Sequence, residues 1–222
     1  MKTELIPNVS HDIKTPLTSI INYVDLLKAE PQGTEKAMEY VGVLEKQSKR
    51  LKKPIEDLIE TSKAASGSIT VNAEETDLSI LLNQAVGEYS DRFKKAELEP
   101  ILHLPSTVIS AYCDPRLCWR IFDNLLSNAG KYSMPGTRVY ISAEEREEHL
   151  SVTFKNISQI PLSISSDELT ERFVRGDSSR NTEGSGLGLS IAKSLAELQK
   201  GSLELTVDGD MFKATVTLPK NH

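Results

Sequence analysis

No stretch of this sequence approaches the length of about 18 apolar residues that a membrane-spanning helix requires. Its beginning also lacks the short apolar segment that directs a protein into secretion. We therefore expect the 222 residues to lie in aqueous solution, in the cytoplasm, without membrane contact of their own. Met1 stands only ten residues before His11, around which the first helical pattern is built, so we expect further sequence upstream.

Cysteine is nearly absent, since Cys113 and Cys118 are the only two, and a zinc site would need further ligands. We expect both to be small buried hydrophobes in a reducing compartment and not a disulfide. The chain has no basic block either. Residues 1–66 carry ten basic and ten acidic side chains, so the rest carries the whole net charge of −6. Such a chain is a poor binder of nucleic acid, and it needs local cations or a metal to bind a phosphorylated ligand.

What the sequence does contain is, first, a helical pattern near its beginning. Apolar residues recur there at steps of three and four, which predicts an amphipathic helix. His11 lies on the opposite side of this helix, with Asp12 beside it and Thr15 one turn away. Imidazole suits proton exchange or nucleophilic attack near pH 7. A histidine on a solvated helix face can equally be a surface residue without a chemical role. The apolar positions are Ile6, Val9, Ile13, Leu17, Ile20, Val24 and Leu27.

A second helical pattern follows a turn at residues 31–34, where Thr34 is expected to cap the helix. Its apolar positions alternate at steps of four and three, which is a heptad seam. Two amphipathic helices joined by a short loop predict a helical hairpin over residues 1–66 that pairs with a second copy as a four-helix bundle. Pro54 lies inside the second helix, where we expect a bend and not a stop. The seam consists of Ala37, Val41, Leu44, Ser48, Leu51, Ile55 and Leu58.

The remainder of the chain predicts an α+β fold, a sandwich of strands and helices in a non-alternating order. Residues 67–76 are interpreted as a linker with a first strand at residues 69–71, and residues 77–222 as one domain. Asp77 and Asp114-Pro115 are helix starts, because a capping acid precedes the first turn. The stretch 156–183 has no clear periodicity, and a loop this long in a compact domain is usually functional.

One stripe of polar residues suits phosphate chemistry. Asn124, Asn128 and Lys131 follow one another at steps of four and three on the helix that Asp114 opens. Amide oxygens suit a hydrated Mg²⁺ ion that also binds phosphate, and lysine supplies a point charge to the phosphates. A polar face on a half-buried helix explains the same stripe equally well.

A glycine-rich segment offers a second place for phosphate. Gly184, Gly186 and Gly188 lead into a predicted helix, so the backbone can approach a phosphate closely at the positive end of that helix. Glycine-rich turns are common, and this one does not follow a strand as a dinucleotide fingerprint does. The segment alone is therefore a weak indication.

Together, four segments resemble the sequence boxes of bacterial sensor histidine kinases, in the family's order and across essentially the whole chain. Residues 11–17 (HDIKTPL) resemble the phosphoacceptor box, and residues 124–132 (NLLSNAGKY) the asparagine box of the ATP-binding domain. Residues 171–173 (ERF) resemble the phenylalanine box of the ATP lid, and residues 184–191 (GSGLGLSI) the second glycine box. The resemblance implies a dimerising histidine-phosphotransfer hairpin followed by a Bergerat-type ATP-binding domain.

The resemblance also implies an activity, in which the γ-phosphoryl group of ATP passes to His11 and then to an aspartate of a response regulator. His11 would be the nucleophile, Asp12 its hydrogen-bond acceptor and base, and Thr15 a helper in dephosphorylating the regulator. Asn128 and Asn124 would hold Mg²⁺. The residues that the resemblance implies in ATP binding are Asn124, Asn128, Lys131, Tyr132, Asn156, Phe173, Arg175, Arg180, Gly184, Gly186, Leu187, Gly188 and Leu189.

One family element is missing. The first glycine box, Asp-x-Gly-x-Gly, aligns with residues 156–160, so the adenine-binding aspartate would be Asn156 and both glycines are replaced. Alternatively, Asn156 is a turn residue that ends a strand. The loss supports a second hypothesis beside the kinase, a pseudokinase-like dimeric docking or phosphatase module that binds nucleotide weakly.

The resemblance further implies the partners, a second copy of the chain in a homodimer and a cognate response regulator. We expect no nucleic acid among them, because the chain is acidic. If a longer parent chain carries a membrane sensor, the present residues are its cytoplasmic part.

Overall fold

The computed structural model of this chain describes residues 5–31, 33–65, 68–146, 148–162 and 186–220, without the side chains of residues 5–12, 53 and 65. It begins with two helices, α1 (Leu5–Ala29) and α2 (Glu35–Ala65), which pack against each other. The Oγ1 atom of Thr34 accepts a hydrogen bond from the backbone N–H of Ala37 at 3.1 Å, so the predicted cap is confirmed. The predicted helical hairpin is therefore present.

Both helices of the hairpin contain a proline, Pro16 in α1 and Pro54 in α2, and neither helix stops there. The helical pattern thus continues through Pro54, as the sequence predicts. Part of the apolar surface is left uncovered within one chain: Leu17, Ile21 and Val41 are between 43% and 53% exposed. A hairpin by itself does not bury this surface.

The second part of the chain is a layer of helices on a five-stranded sheet. The strand order is β2-β4-β5-β7-β6, with β2 parallel to β4 and the other neighbours antiparallel, while β1 and β3 form a separate antiparallel pair. This is the predicted mixed α+β arrangement. The elements are β1 (Glu74–Asp77), α3 (Leu78–Lys95), β2 (Glu99–His103), β3 (Ser110–Cys113), α4 (Pro115–Tyr132), β4 (Arg138–Glu145), β5 (His149–Ile157), α5 (Gly188–Leu198), β6 (Ser202–Asp208) and β7 (Met211–Pro219).

The strand predicted at residues 69–71 is wrong. The segment belongs to no strand, and the first strand begins at Glu74, where it pairs with Cys113 of β3. Ile69 instead packs its side chain against the core of the second domain. A short segment with alternating apolar residues has the same sequence pattern whether it forms a strand or only packs its side chains on the core. The sequence does not show whether a neighbouring strand is present to pair with it.

The core lies between the sheet and the helices. Along β5, alternate residues are buried, and the ring of Phe154 lies with its centroid 5.8 Å from that of Phe122 in α4. The other face of the sheet carries hydroxyls, with Ser151 and Thr217 paired across two strands at 3.4 Å. Phe122 is fully buried, so its truncation would cost about 3–5 kcal/mol of folding free energy.

The predicted helix starts of the second domain are both present. The carboxylate of Asp77 accepts from the backbone N–H of Ser79 at 2.8 Å. Asp114 is fully buried and accepts from the backbone N–H groups of Arg116 and Asn72, which ties the linker to α4. Although burial opposes it, the hydrogen bonds and charge of Arg116 lower the pKa of Asp114.

Two further expectations can be compared with this fold. Cys113 and Cys118 are free and fully buried, as predicted for structural cysteines. Among the helices that the structure describes, none combines the length and the hydropathy needed to cross a membrane.

Candidate functional site

The phosphoacceptor segment lies in the first half of α1. Positions 11 and 12 are helical, and their side chains lie outside the described residues. Thr15 is exposed one turn further along the helix. Ile13 is half-buried, and its side chain packs against the core of the second domain, so α1 is in contact with that domain two residues from His11.

The asparagine stripe lies on α4, whose start is set by the Asp114 cap and by Pro115 at the first helical position. Asn124 is only 5% exposed, whereas Asn128 is half-buried and Lys131 is exposed. The stripe therefore runs from the interior towards solvent. An apolar side chain would fill the position of Asn124 more cheaply, so its amide indicates a polar neighbour or ligand.

The glycine segment approaches this stripe closely. A Cβ atom added to Gly188 would lie 3.3 Å from Oδ1 of Asn124, a tight contact that only glycine avoids. The backbone of Gly186 has φ +69°, a left-handed conformation that favours glycine. Each of these two positions therefore requires glycine for its own reason: Gly188 because Asn124 lies close to it, and Gly186 because of its left-handed backbone conformation.

Helix α5 begins directly after this turn. Leu187 is fully buried, and its carbonyl accepts from the N–H of Ile191 at 2.9 Å and from Oγ of Ser190 at 2.9 Å. Leu189 packs against the core. The N–H groups of the first helical turn have no acceptor within the helix, and the helix dipole makes this end positive, so an anion is favoured there.

Asn124 carries an unused donor at this place. Its Nδ2 atom is buried and has no hydrogen-bond partner among the residues that the structure describes. Leaving a buried donor without an acceptor costs about 1–3 kcal/mol. An oxygen-rich ligand between the stripe and the start of α5 would supply that acceptor, and the amide oxygens of Asn124 and Asn128 suit a hard cation bound with it. The residues present therefore fit a nucleotide phosphate with Mg²⁺.

Asn156 lies inside a strand and not in a turn. It is the last but one residue of β5, faces Phe212 of β7 in the ladder, and is only 6% exposed. By strand alternation it shares the core side with Phe154, which packs on Phe122 of α4. The alternative interpretation of Asn156 as a turn residue that ends the strand is therefore wrong. A buried amide on the side of α4 suits recognition of a polar ligand.

The segment after Asn156 is held to the end of α4 by hydrogen bonds. The N–H of Gln159 donates to the carbonyl of Tyr132 at 2.9 Å, and its side-chain Nε2 donates to the carbonyl of Lys131 at 3.2 Å. The N–H of Ser158 donates to the carbonyl of Asp210 at 2.7 Å. These bonds hold Tyr132 and Lys131 beside residues 156–160, the segment that aligns with the first glycine box.

Two buried serines at this place were not singled out by the sequence. Ser158 is 3% exposed and forms a bridge with Ser133, whose Oγ has no hydrogen-bond partner among the described residues. Ser158 aligns with the first missing glycine of the box. That alignment was the one indication in the sequence that Ser158 lies at the site. The remaining predicted residues, Phe173, Arg175, Arg180 and Gly184, lie outside the described residues.

Comparison with known families agrees with this geometry. Residues 1–67 match the family described as the His Kinase A (phospho-acceptor) domain. Residues 113–222 match the family described as the histidine kinase-, DNA gyrase B-, and HSP90-like ATPases. The first match contains the α1–α2 hairpin, and the second contains the asparagine stripe and the glycine segment.

Curated relatives cover nearly the whole of this chain. It is 34% identical to the sensor protein VanSC of Enterococcus gallinarum, over 99% of this chain and 61% of the relative. It is 29% identical to the sensor protein kinase WalK of Staphylococcus aureus, over 98% of this chain and 54% of the relative. The chain thus spans less than two thirds of the length of these relatives.

Solved structures share the fold. The Acinetobacter baumannii histidine kinase AdeS matches with a TM-score of 0.74 at 22% identity, over 96% of this chain and 98% of that one. The histidine kinase ThkA, solved in complex with the response regulator protein TrrA, matches with a TM-score of 0.68 at 17% identity. That match covers 99% of this chain and 62% of the other.

Exchanging Asn156 for aspartate is expected to sharpen nucleotide selection. A charged acceptor binds the amino group of adenine more strongly than a neutral one, so Asn156→Asp should tighten ATP binding by about 1 kcal/mol. An asparagine can also present its NH₂ group to the carbonyl oxygen of guanine, whereas aspartate has no donor. The ratio of ATP to GTP affinity should therefore rise in the variant.

Calorimetric titration of both nucleotides into both proteins measures this ratio. Asn83→Asp is the matched control, because Asn83 is exposed on α3 and bonds only to the carbonyl of Ser79 among the hydrogen bonds described for it. Equal affinities in wild type and Asn156→Asp would show that Asn156 does not contact the base.

Proposed function

Because this chain belongs to the sensor histidine kinase family, we propose that it is the catalytic core of an ATP-dependent protein-histidine kinase that phosphorylates His11. The observation that carries the proposal is the close approach of Gly188 to Asn124, where an added Cβ would lie 3.3 Å from the amide oxygen, so that the amide stripe of α4 lies against the glycine-rich start of α5. The buried Nδ2 donor of the same amide has no hydrogen-bond partner among the described residues, which favours a nucleotide-binding domain over the weakly binding module of the rival hypothesis.

In the proposed site, ATP binds with its phosphates between α4 and the start of α5. The backbone N–H groups after Gly186 and the side chain of Lys131 bind phosphate oxygens. Asn156 receives the base from the core side of β5, and Tyr132 lies at the same end of α4. Mg²⁺ held by Asn128 and Asn124 would neutralise charge on the phosphates during transfer.

At the acceptor, a ring nitrogen of His11 attacks the γ-phosphorus as the bond from that phosphorus to the ADP oxygen breaks. Asp12 accepts a hydrogen bond from the other ring nitrogen. This hydrogen bond fixes the tautomer of the imidazole, and Asp12 acts as the base that takes the proton. The phosphoryl group then passes to an aspartate of a response regulator. The structure of the related kinase ThkA in complex with a response regulator protein supports a partner of this class.

We also propose that the natural protein acts as a dimer and that this part of it is cytoplasmic. The uncovered apolar surface of the hairpin supports the dimer, and the hairpin matches a phosphoacceptor-domain family. Relatives named as sensor proteins extend beyond the region matched here, which supports a parent chain with a separate sensing part.

His11→Gln is expected to abolish phosphorylation of the chain and to leave ATP affinity unchanged, because acceptor and nucleotide lie on different elements. Labelled ATP with Mg²⁺ measures incorporation, which should be acid-labile and base-stable as a phosphoramidate is. The matched control is His103→Gln, since His103 is exposed on β2. Equal labelling of His11→Gln and wild type would refute the assignment of the acceptor.

Thr15→Ala is expected to slow dephosphorylation of the regulator and to spare phosphorylation of His11. Thr15 is exposed one turn from His11, where its hydroxyl can orient a water towards a phospho-aspartate. Loss of one such positioned group typically costs 10²-fold or more, so a decrease of about 10²-fold is expected. Thr18→Ala, at another exposed threonine of α1, is the control. If both activities fell together in Thr15→Ala, helix damage would be the cause.

Val41→Glu is expected to weaken the dimer. Val41 is 46% exposed in one chain, and a dimer would bury it in the seam, where an unpaired carboxylate is costly. We expect the dissociation constant to rise at least roughly tenfold, measured by light scattering during gel filtration. Lys46→Glu introduces the same group on the exposed side of α2 and should leave the dimer intact. An unchanged dimer in Val41→Glu would place the seam elsewhere.

A further inference from the structure

Ser133, the residue that follows α4, carries a buried hydroxyl whose hydrogen-bonding capacity is unused. It is only 5% exposed, and its Oγ atom has no hydrogen-bond partner among the residues that the structure describes. Two other buried hydroxyls are paired. Oγ1 of Thr61 donates to the carbonyl of Asp57 at 2.8 Å, and Oγ of Ser190 donates to the carbonyl of Leu187 at 2.9 Å. Buried polar groups are nearly always paired, so the hydroxyl of Ser133 indicates a ligand.

The backbone around Ser133 is held on both sides, which fixes the position of this hydroxyl. Its own N–H donates to the carbonyl of Ala129 at 3.1 Å, and the N–H of Met134 donates to the carbonyl of Ile157 at 2.8 Å. Ser133 also forms an antiparallel bridge with Ser158. The hydroxyl is therefore positioned before a ligand arrives, so little conformational freedom is lost when the ligand binds.

Ser133 lies on the same side of the sheet as Asn156. Asn156 and Ser158 are both buried, whereas Ile157 between them is only half-buried, so positions 156 and 158 point to one side. Directly opposite residues of an antiparallel pair also point to one side, which places Ser133 there with Ser158. The diagonal distance from Ser133 to Asn156 is then about 7–8 Å. The two side chains thus flank one place at the end of α4.

The carboxamide of Asn156 is unused as well. Asn156 is 6% exposed, and its side chain takes part in no hydrogen bond among the described residues. Both groups at this place are neutral, and both can donate and accept, because a hydroxyl has a proton and lone pairs and a carboxamide has an NH₂ group and an oxygen. An ionised aspartate, by contrast, only accepts.

Neutral groups of this kind match the edges of two different purines. Adenine presents an amino donor at position 6 and an acceptor at the adjacent ring atom N1. Guanine presents a carbonyl acceptor at position 6 and an N–H donor at N1. The oxygen of Asn156 and the proton of the Ser133 hydroxyl match adenine. When the amide turns over and the hydroxyl rotates, the NH₂ group of Asn156 and the oxygen of Ser133 match guanine.

We propose that Ser133 contacts N1 of the purine base while Asn156 contacts position 6, so that the site takes guanine nucleotides as phosphodonors beside ATP. The proposal rests on the proposed kinase function. An aspartate at position 156 would permit the adenine arrangement only, because it has no donor for the guanine carbonyl.

The transfer itself is the same for both nucleotides. A ring nitrogen of His11 bonds to the γ-phosphorus of GTP, and the bond from that phosphorus to the oxygen of the leaving GDP breaks. The proton of the other ring nitrogen passes to Asp12. No group at the phosphate end of the site distinguishes the two nucleotides, so the base contacts decide which one is used.

Removing the N1 acceptor from the nucleotide tests the contact of Ser133 directly. In 1-deaza-ATP a C–H group replaces N1, so the base offers nothing to this hydroxyl. Ser133→Ala should weaken the binding of ATP and GTP roughly fivefold, the change expected for one neutral hydrogen bond. The same variant should leave the affinity for 1-deaza-ATP unchanged. Calorimetric titration of the full chain with Mg²⁺ present measures all three affinities.

Ser90→Ala is the matched control, because Ser90 is exposed on α3 and the variant loses the same hydroxyl far from the base. It should bind all three nucleotides as the wild type does. Damage to the fold in Ser133→Ala would weaken 1-deaza-ATP as much as ATP, so the comparison separates a direct contact from a structural role.

Labelling with γ-labelled nucleotides tests the use of guanine. GTP should label the wild type with a kcat/KM within roughly tenfold of that for ATP, because the two base arrangements contain the same number of hydrogen bonds. Inosine triphosphate has the carbonyl and N1–H of guanine but no amino group at position 2, so it should label the chain as well as GTP does. His11→Gln should abolish labelling by each nucleotide.

The outcomes separate two kinds of failure. An unchanged affinity for ATP in Ser133→Ala, or an equal loss for ATP and 1-deaza-ATP, would overturn the contact of Ser133 with N1. Labelling by ATP without labelling by GTP would overturn the use of guanine nucleotides and leave the kinase function intact. If ATP labelled nothing, the proposed function would fail, and the titrations alone would then decide whether Ser133 contacts the base.

Discussion

The close approach of helices α4 and α5 is the contact on which the candidate site depends. Gly188 lies so near Asn124 that a methyl group would press on the amide oxygen. The approach brings a polar stripe and the positive end of a helix to one place, and it leaves a buried amide donor unused. The cost is offset by the surrounding core, in which Leu125, Leu187 and Ile191 are almost completely buried. Local rules are commonly broken in this way at functional sites.

The two parts of the chain are joined by contacts of different kinds. Within the ATP-binding domain, apolar packing such as that of Phe122 on Phe154 is continuous, and close-packed interiors do not deform gradually. Between the domain and the hairpin, the guanidinium of Arg120 on α4 contacts the largely buried carboxylate of Asp57 on α2 at 2.7 Å, beside apolar contacts such as that of Ile13. Interfaces between domains that are partly polar commonly permit relative motion of the domains, unlike the interior of a single domain.

Local features were predictable from the sequence because they depend on neighbours in the chain. Thr34, Asp77 and Asp114 cap helices as predicted, since a short polar side chain reaches the free N–H groups of its own first turn. The spacing from Asn124 to Lys131 likewise predicts a shared helix face. The prediction of a strand at residues 69–71 was wrong because a strand, unlike a helix cap, depends on a pairing partner that lies far away in the sequence.

The sequence by itself thus determined the helical hairpin, the capped helices, the burial of the two cysteines and the family that the four boxes indicate. Only the tertiary structure decided that Asn156 is buried within β5, and that Arg120 meets Asp57, 63 residues earlier in the chain. Periodicity tells which side of an element is apolar, but it does not tell which element covers that side. That choice depends on how helices and strands cross, and the crossing is set by packing over the whole domain.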